Sequence, residues 1–310
     1  MHEPADETTA VPTGTDPGVS RIPATSVWPT AQTDSRAQRK GRYLPESMAH
    51  PGKMLPAIAE HAITHYTAPG DLVVDPMCGI GTTLVESVHA NRMAIGVEYE
   101  GRWADLARRN VEHATGRGAP GFATVVNGDS RDIVRLVGGD VVGKAALVLT
   151  SPPYGDSLHG HIRSSRDSGR AGKIEKTDHR YSRDPDNLAH RSLDDLFDGF
   201  REILAGCLEL LRPGGHLVMT TRPYRRGGAF HDVPDRAWHA AIDAGFAPFE
   251  RCVALLAGIR GDGLVPRPSF FQLANTRNQN AAGVPVHLVA HEEVHVLTRP
   301  IQTGTKGGTA

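Results

Sequence analysis

The stretch Leu72-Val73-Val74-Asp75-Pro76-Met77-Cys78-Gly79-Ile80-Gly81-Thr82-Thr83-Leu84-Val85 decides the fold class. It opens on a short apolar run, as expected of a strand buried on both faces of a parallel sheet. A glycine-rich turn follows at once, and Leu84, Val85 and Val88 then step as a helix. Strand, tight turn and helix begin a βαβ unit, and the chain repeats the pattern. Upstream, Leu55, Ile58, Ala62, Ile63 and Tyr66 fall at helical spacing, and Pro69-Gly70 ends that helix. Downstream, Met93 to Val97 reads as a second strand, with a helix marked by Trp103, Leu106, Ala107 and Val111. Ala123 to Val126 and Ala145 to Leu149 read as the third and fourth strands. Ser192 caps a helix through Leu193, Phe197, Phe200, Leu204, Cys207, Leu208 and Leu211, and Pro213-Gly214-Gly215 turns the chain into a strand from His216 to Thr220. A helix around Ala237 to Ala244 and strands near Arg251 to Leu256 and Val294 to Leu297 complete the series. The expectation is a doubly wound, mostly parallel, seven-stranded α/β sheet with helices on both faces.

Outside this alternation the composition changes. Residues 1–48 are rich in Pro, Thr, Ala, Asp and Gly and read as a disordered tail. Arg36, Arg39, Lys40 and Arg42 at its end suit a solvated linker, or else an arm reaching nucleic-acid phosphates. Residues 49–300 form the expected domain, and 301–310 a second disordered tail. Residues 156–190 are polar, rich in His, Arg and Asp and nearly free of aliphatics, which makes a long substrate-side loop of them.

Of the 310 residues 39% are hydrophobic and 22% charged, the balance of a soluble globular protein. No apolar run approaches the roughly eighteen residues a membrane span needs, and the acidic, polar start is not a secretory signal. Cys78, Cys207 and Cys252 stand far apart, against both a disulfide framework and a structural zinc site. No HExxH-like spacing organises the 16 histidines, so no metal is expected. The expected compartment is the cytoplasm. A net charge of −1 means that any nucleic-acid surface must be local.

The glycine turn is not a P-loop, because no Gly-Lys-Ser/Thr follows, and Leu84 stands where a dinucleotide fingerprint needs its third glycine. Glu98, at the tip of the second strand and about twenty residues beyond the turn, is placed to accept from ribose hydroxyls. Asp129 in Gly128-Asp129-Ser130, at the end of the third strand, is placed to accept from an adenine amino group. Asp75 can face a cation, and the following helix N-terminus suits a carboxylate. A nucleoside without pyrophosphate fits this set better than NAD, and S-adenosylmethionine carries all of these groups.

Thr150-Ser151-Pro152-Pro153-Tyr154-Gly155 follows the fourth strand directly. Its two prolines hold the backbone extended, which aims the Ser151 side chain and the Pro152 carbonyl the same way. An exocyclic amino group is a poor nucleophile, because its lone pair is delocalised into the ring. Two acceptors gripping its hydrogens favour a pyramidal nitrogen that can attack a methyl carbon. Tyr154 offers a face for stacking a base taken out of its duplex. If the first and fourth strands flank the reversal of strand order, Asp75 and Ser151 open into one cleft.

With both motifs in place, residues 49–300 resemble the amino-methylating DNA methyltransferases that carry an S/D/N-P-P-Y/F signature. His50-Pro51-Gly52-Lys53-Met54 resembles the family segment that holds the methionine part of the cofactor, with Lys53 its polar contact. Asp75, Pro76, Cys78, Gly79, Gly81, Thr82 and Thr83 match its D-P-x-x-G-x-G-T-T loop, and Ala94 to Glu98 its ribose-binding strand. Ser151, Pro152, Pro153 and Tyr154 match the catalytic tetrapeptide, and His291-Glu292-Glu293 its C-terminal end. The resemblance implies a Rossmann-like class I methyltransferase fold and S-adenosylmethionine as cofactor. Serine in the first catalytic position implies the cytosine N4 subgroup, with adenine N6 the related activity. A separate target-recognition domain is not evident. The same loop with P-P-Y also resembles RNA guanine N2-methyltransferases of the tRNA type, although those usually have Asp or Asn before the prolines.

The expected partner is DNA, or alternatively RNA. Arg163, Arg166, Arg170, Lys173, Lys176, Arg180 and Arg183 lie in the long loop beside the catalytic turn, interleaved with acidic residues. Arg222, Arg225 and Arg226 follow the fifth strand at the same sheet edge, where they could hold phosphates. Arg267, before Phe270 and Phe271, suits stacking of an unpaired base, and the two phenylalanines equally suit packing. A relative that binds nucleic acid without catalysis is the alternative of another kind.

Overall fold

The computed structural model describes residues 24–153, 161–163, 175–177, 187–188, 191–226, 228–268 and 270–301. The strands are β1 Val27–Trp28, β2 Leu72–Asp75, β3 Met93–Glu98, β4 Phe122–Asn127, β5 Ala145–Thr150, β6 His161–Arg163, β7 Glu175–Thr177, β8 Leu211–Thr221, β9 Tyr224–Arg226, β10 Ala229–His231, β11 Ala247–Leu255, β12 Ala257–Arg260, β13 Gly263–Pro266 and β14 His291–Thr298. The helices are α1 Ser35–Arg39, α2 Pro56–Tyr66, α3 Thr82–His89, α4 Gly101–Thr115, α5 Ile133–Val137, α6 Leu193–Leu210, α7 Val233–Asp243 and α8 Phe270–Ala281.

The main sheet has eight strands in the order β1-β11-β14-β8-β5-β2-β3-β4. All pairs are parallel except the two that β14 makes with β8 and β11. Seven of these strands were expected, and β1 is the addition, pairing Val27 with Val253 and Trp28 with Ala254. This is the Rossmann-like class I methyltransferase arrangement: two wings wound outward from β2 and β5, with one antiparallel strand inserted next to the last. β2 and β5 are apolar along their length because helices cover both faces. On one face Val73, Leu147, Leu149, Val218, Val294 and Val296 pack under α2, α3 and α4. On the other, Val74, Val148, Leu217, Met219 and Leu297 pack under α6 and α7. The strand expected from His216 begins at Leu211, and its register against β5 is irregular between Ala145 and Leu147. Inside the stretch read as irregular, β6 and β7 pair antiparallel.

The reading of residues 1–48 as a disordered tail is corrected from residue 27 onward. Trp28 is 2% exposed, with its ring 4.3 Å from that of His61. The Thr30 hydroxyl donates to the Leu255 carbonyl at 2.9 Å, and Gln38 bridges the Thr30 carbonyl and the Ala57 amide. Arg39 is buried and donates to the Met54 carbonyl, while Arg42 and Tyr43 both hold Glu86 on α3. These two arginines act inside the domain as cationic partners, neither solvated linker nor exposed arm. Residues 1–23 and 302–310 lie outside the described residues. Among the described residues no helix is long and apolar enough to cross a membrane.

Candidate active site

Strand order reverses between β2 and β5, which pair in parallel with Val74 opposite Val148. β3 and β4 continue on one side and β8, β14 and β11 on the other, so a crevice opens at the carboxyl ends of β2 and β5. Neighbouring strands run about 4.8 Å apart, which sets the turn after Asp75 and the turn after Thr150 side by side. The condition for one shared cleft is therefore met.

The glycine turn is held from several sides. Gly81 caps α3 with φ +82°, its amide donates to the Cys78 carbonyl at 2.7 Å, and a Cβ there would lie 3.2 Å from that of Ala107. Cys78 donates its amide to the Val97 carbonyl at 2.9 Å, and at Gly96 a Cβ would meet the Cys78 Sγ at 2.8 Å. Only glycine lets β3 press this closely on the turn. The Pro76 carbonyl accepts from the Ser130 hydroxyl, and Thr82 and Thr83 are buried at the start of α3. Asp75 accepts from the Thr83 hydroxyl at 2.5 Å and the Met77 amide at 3.0 Å. Burial raises its pKa to about 6, against the opposing bonds from Thr83 and Met77 and the nearby Thr150 hydroxyl. In the structure Asp75 shapes the turn from below.

Glu98 accepts from the Gly79 amide and the Glu100 amide, both at 2.8 Å. Burial pushes its carboxyl up to about 7, with these two bonds opposing. A carboxylate has about four lone-pair sites, so two remain for further donors. A ribose diol supplies two such donors, and they would favour the ionised form. Asp129 is gripped by the backbone amide and guanidinium of Arg131. Burial pushes the Asp129 carboxyl up, but the Arg131 contacts outweigh it and the net shift is downward. Lys53 donates to the carbonyls of His50 and Met48, and burial together with nearby Arg39 lowers its pKa to about 8. A carboxylate arriving there would restore the charge. These residues fit the nucleoside and amino-acid ends of S-adenosylmethionine.

Four neighbours went unremarked individually in the sequence. His50 is buried, edge-on to Trp103 at 4.6 Å, and its Nε2 lies 3.2 Å from where a Gly79 Cβ would stand. Glu100 receives the Nδ2 of buried Asn187 and the Nε of Arg102, both at 3.0 Å, so the chain returns from the long loop onto the tip of β3. Asn110 joins α4, residues 44–47 and the Ile80 carbonyl. Its signal was a polar residue on the apolar side of α4. Glu292 was quoted only as part of a segment.

Ser151 and Pro153 are half-buried and Pro152 is buried, directly beyond β5. Tyr154 and Arg166 lie outside the described residues, as do Arg170, Arg180 and Arg183. Arg163 belongs to β6 and Lys176 to β7, described by backbone alone. Arg222 faces Glu292, and Arg225 stacks over Phe230 at 5.2 Å while donating to the Gly228 carbonyl. Arg226 sits in the β9–β10 hairpin, opposite Ala229. The expectation for Arg267 is corrected: its guanidinium donates to the Ala31 and Gln32 carbonyls and ties the end of β13 to the N-terminal segment. Among the described residues no group of His, Cys, Asp or Glu is arranged to hold a metal.

Residues 13–109 match a family described as DNA methylase. A tRNA (guanine(10)-N2)-dimethyltransferase of Methanothermobacter thermautotrophicus is 31% identical over 109 residues, 35% of this chain and 30% of that protein. The protein of the same description from Methanocaldococcus jannaschii is 28% identical over 41% of this chain and 33% of its own length. The matched stretch thus spans about a third of each curated relative. Among solved structures, TrmN from Thermus thermophilus is similar at TM-score 0.47 and 19% identity, covering 84% of this chain and 52% of that one. The matched stretch, residues 13–109, holds the glycine turn and Glu98 and is similar to the DNA methylase family, within a Rossmann-like class I methyltransferase fold.

Proposed function

We propose that this chain methylates an exocyclic amino group of a nucleobase, most directly N4 of cytosine in DNA. The observation that carries the reading is Ser151-Pro152-Pro153 standing at the reversal of strand order, beside the glycine turn that ends β2. When bound, S-adenosylmethionine supplies an electrophilic methyl group on a sulfonium. The residues of the chain do the rest. Glu98 and the glycine turn hold the nucleoside end, and Lys53 offers a cation to the carboxylate end. Ser151 Oγ and the Pro152 carbonyl accept the hydrogens of the target amino group, which localises its lone pair for attack. Tyr154 offers a stacking face to the extruded base, and Arg222, Arg225 and Arg226, which follow β8, would supply contacts to the nucleic-acid backbone. Serine ahead of the two prolines and the DNA methylase match support cytosine in DNA.

The curated relatives favour a second reading, methylation of guanine N2 in tRNA. Methyl transfer from labelled S-adenosylmethionine to unmodified DNA, tRNA and rRNA, followed by nucleoside mass spectrometry, separates the two. N4-methylcytosine in DNA is the expected product. Label confined to guanine in RNA would replace the substrate assignment, and no label in any pool would point to a binder without catalysis.

A further inference from the structure

Among the described residues, four of the buried polar atoms without a hydrogen-bond partner lie on neighbouring strands of the sheet. They are Thr150 Oγ1 on β5, Thr220 and Thr221 Oγ1 on β8, and Glu292 Oε2 on β14. These are three adjacent strands, and all four atoms stand at the edge where β5 ends and Ser151 begins. Native interiors pair nearly all such atoms, and exceptions gather at functional sites.

The register fixes which of them share a face of the sheet. Thr150, the last residue of β5, lies opposite Met219, one residue before Thr220, and Thr220 lies opposite Val294. Leu147 and Leu149, Val218, and Val294 and Val296 all face the α2 side. Side chains alternate along a strand, so Thr220 and Glu292 continue that face to its carboxyl edge, where Ser151 follows the end of β5. The Glu292 carboxyl leans toward Thr220, whose hydroxyl bears on it without completing a hydrogen bond.

We propose that Glu292 is a specificity-determining residue that reads the ring nitrogen beside the target amino group, while Ser151 and Pro152 hold the amino group itself. The inference rests on the function proposed above and selects between its two bases. Cytosine and adenine place a ring-nitrogen acceptor next to the amino group, whereas guanine places a ring N–H donor there. A neutral carboxyl presents one donor and one acceptor and complements the first pattern. A carboxylate presents acceptors alone and complements guanine. Burial raises the Glu292 pKa, the Arg222 cation and the Thr220 hydroxyl oppose it, and burial prevails. The shift runs toward the neutral form, the form that complements cytosine or adenine.

The test uses the full chain as wild type, Glu292→Gln and Glu292→Ala, with labelled S-adenosylmethionine, DNA and tRNA. Glutamine keeps one donor and one acceptor, so Glu292→Gln retains kcat/KM on DNA within about 3-fold. Alanine loses the base contact, and kcat/KM falls on the order of 10–100-fold. S-adenosylmethionine affinity, measured by calorimetry, stays unchanged in both variants, which separates base reading from loss of fold. Equal rates for Glu292→Ala and wild type would overturn the inference and leave the proposed function standing. So would label on guanine with Glu292→Gln as impaired as Glu292→Ala, because that is the signature of a carboxylate. A wild-type protein that labels no nucleobase amino group would overturn the function and this inference together.

Discussion

Asn110→Ala tests whether the glycine turn is positioned from behind by the N-terminal segment. Asn110 is fully buried, and its amide is fully used. Nδ2 donates to the Ile80 carbonyl and the Ser47 hydroxyl, both at 2.9 Å, while Oδ1 accepts from the Leu44 amide at 2.9 Å and the Ser47 hydroxyl at 3.2 Å. Alanine strands two backbone groups, the Ile80 carbonyl and the Leu44 amide. Each stranded buried group costs about 1–3 kcal/mol, and with partial relaxation the loss is about 2–4 kcal/mol. For a domain of this size about 2 °C of Tm goes with each kcal/mol, so Tm falls by roughly 4–8 °C. Ile80 lies inside the glycine turn, so loosening it also removes preorganisation, and S-adenosylmethionine affinity drops about 3- to 10-fold. Calorimetric unfolding with titration of the folded protein reads both quantities. A Tm within about 1 °C of wild type and unchanged affinity would refute the reasoning.

Gly81→Ala forces a side chain into φ +82° and against Ala107, so it destabilises by about 1–3 kcal/mol and abolishes cofactor binding. Chemical denaturation and calorimetry read the two effects, and normal binding would show that the turn tolerates a Cβ. Ser151→Ala lowers kcat about 100-fold while leaving S-adenosylmethionine affinity intact, as expected of an acceptor that acts in the transition state. Equal loss of both in a folded variant would reassign Ser151. Trp28→Ala costs about 3–5 kcal/mol, because a fully buried indole in β1 is removed. A urea midpoint equal to wild type would restore the tail reading. Glu98→Gln carries a pH signature. The folded Glu98 pKa of about 7 lies above the ordinary 4.5, so its contribution to the ligand-free protein is fully present below pH 4.5 and is lost as pH rises through about 7. The stability of wild type relative to Glu98→Gln therefore declines from pH 5 to pH 8, and a flat difference in thermal unfolding would show that Glu98 titrates normally.

The sequence by itself determined the strands and helices that flank the cofactor turn, and the turn with its acidic companions. Those signals are local: a period of two or of 3.6, a glycine where the chain must turn tightly, a proline pair that fixes an extended backbone. Glu98 closes β3 and Ser151 directly follows β5, positions that the local pattern announced. Asn110 went unread, although one polar residue in the apolar stripe of α4 was the signal for it. Only the tertiary structure decided what pairs across the sheet. Residues 27–48 look like tail by composition, yet Trp28 is buried where β1 adds to β11 some 225 residues away, Arg39 is buried against the Met54 carbonyl and Tyr43 against Glu86 of α3. Arg267 looked like a nucleic-acid contact until two carbonyls of that same segment took its guanidinium. Glu292 gained its place beside Thr220 from the antiparallel insertion of β14 against β8, a pairing no local pattern announces. Local preferences act within a few residues, whereas partners this distant are chosen by the free energy of burying whole faces together.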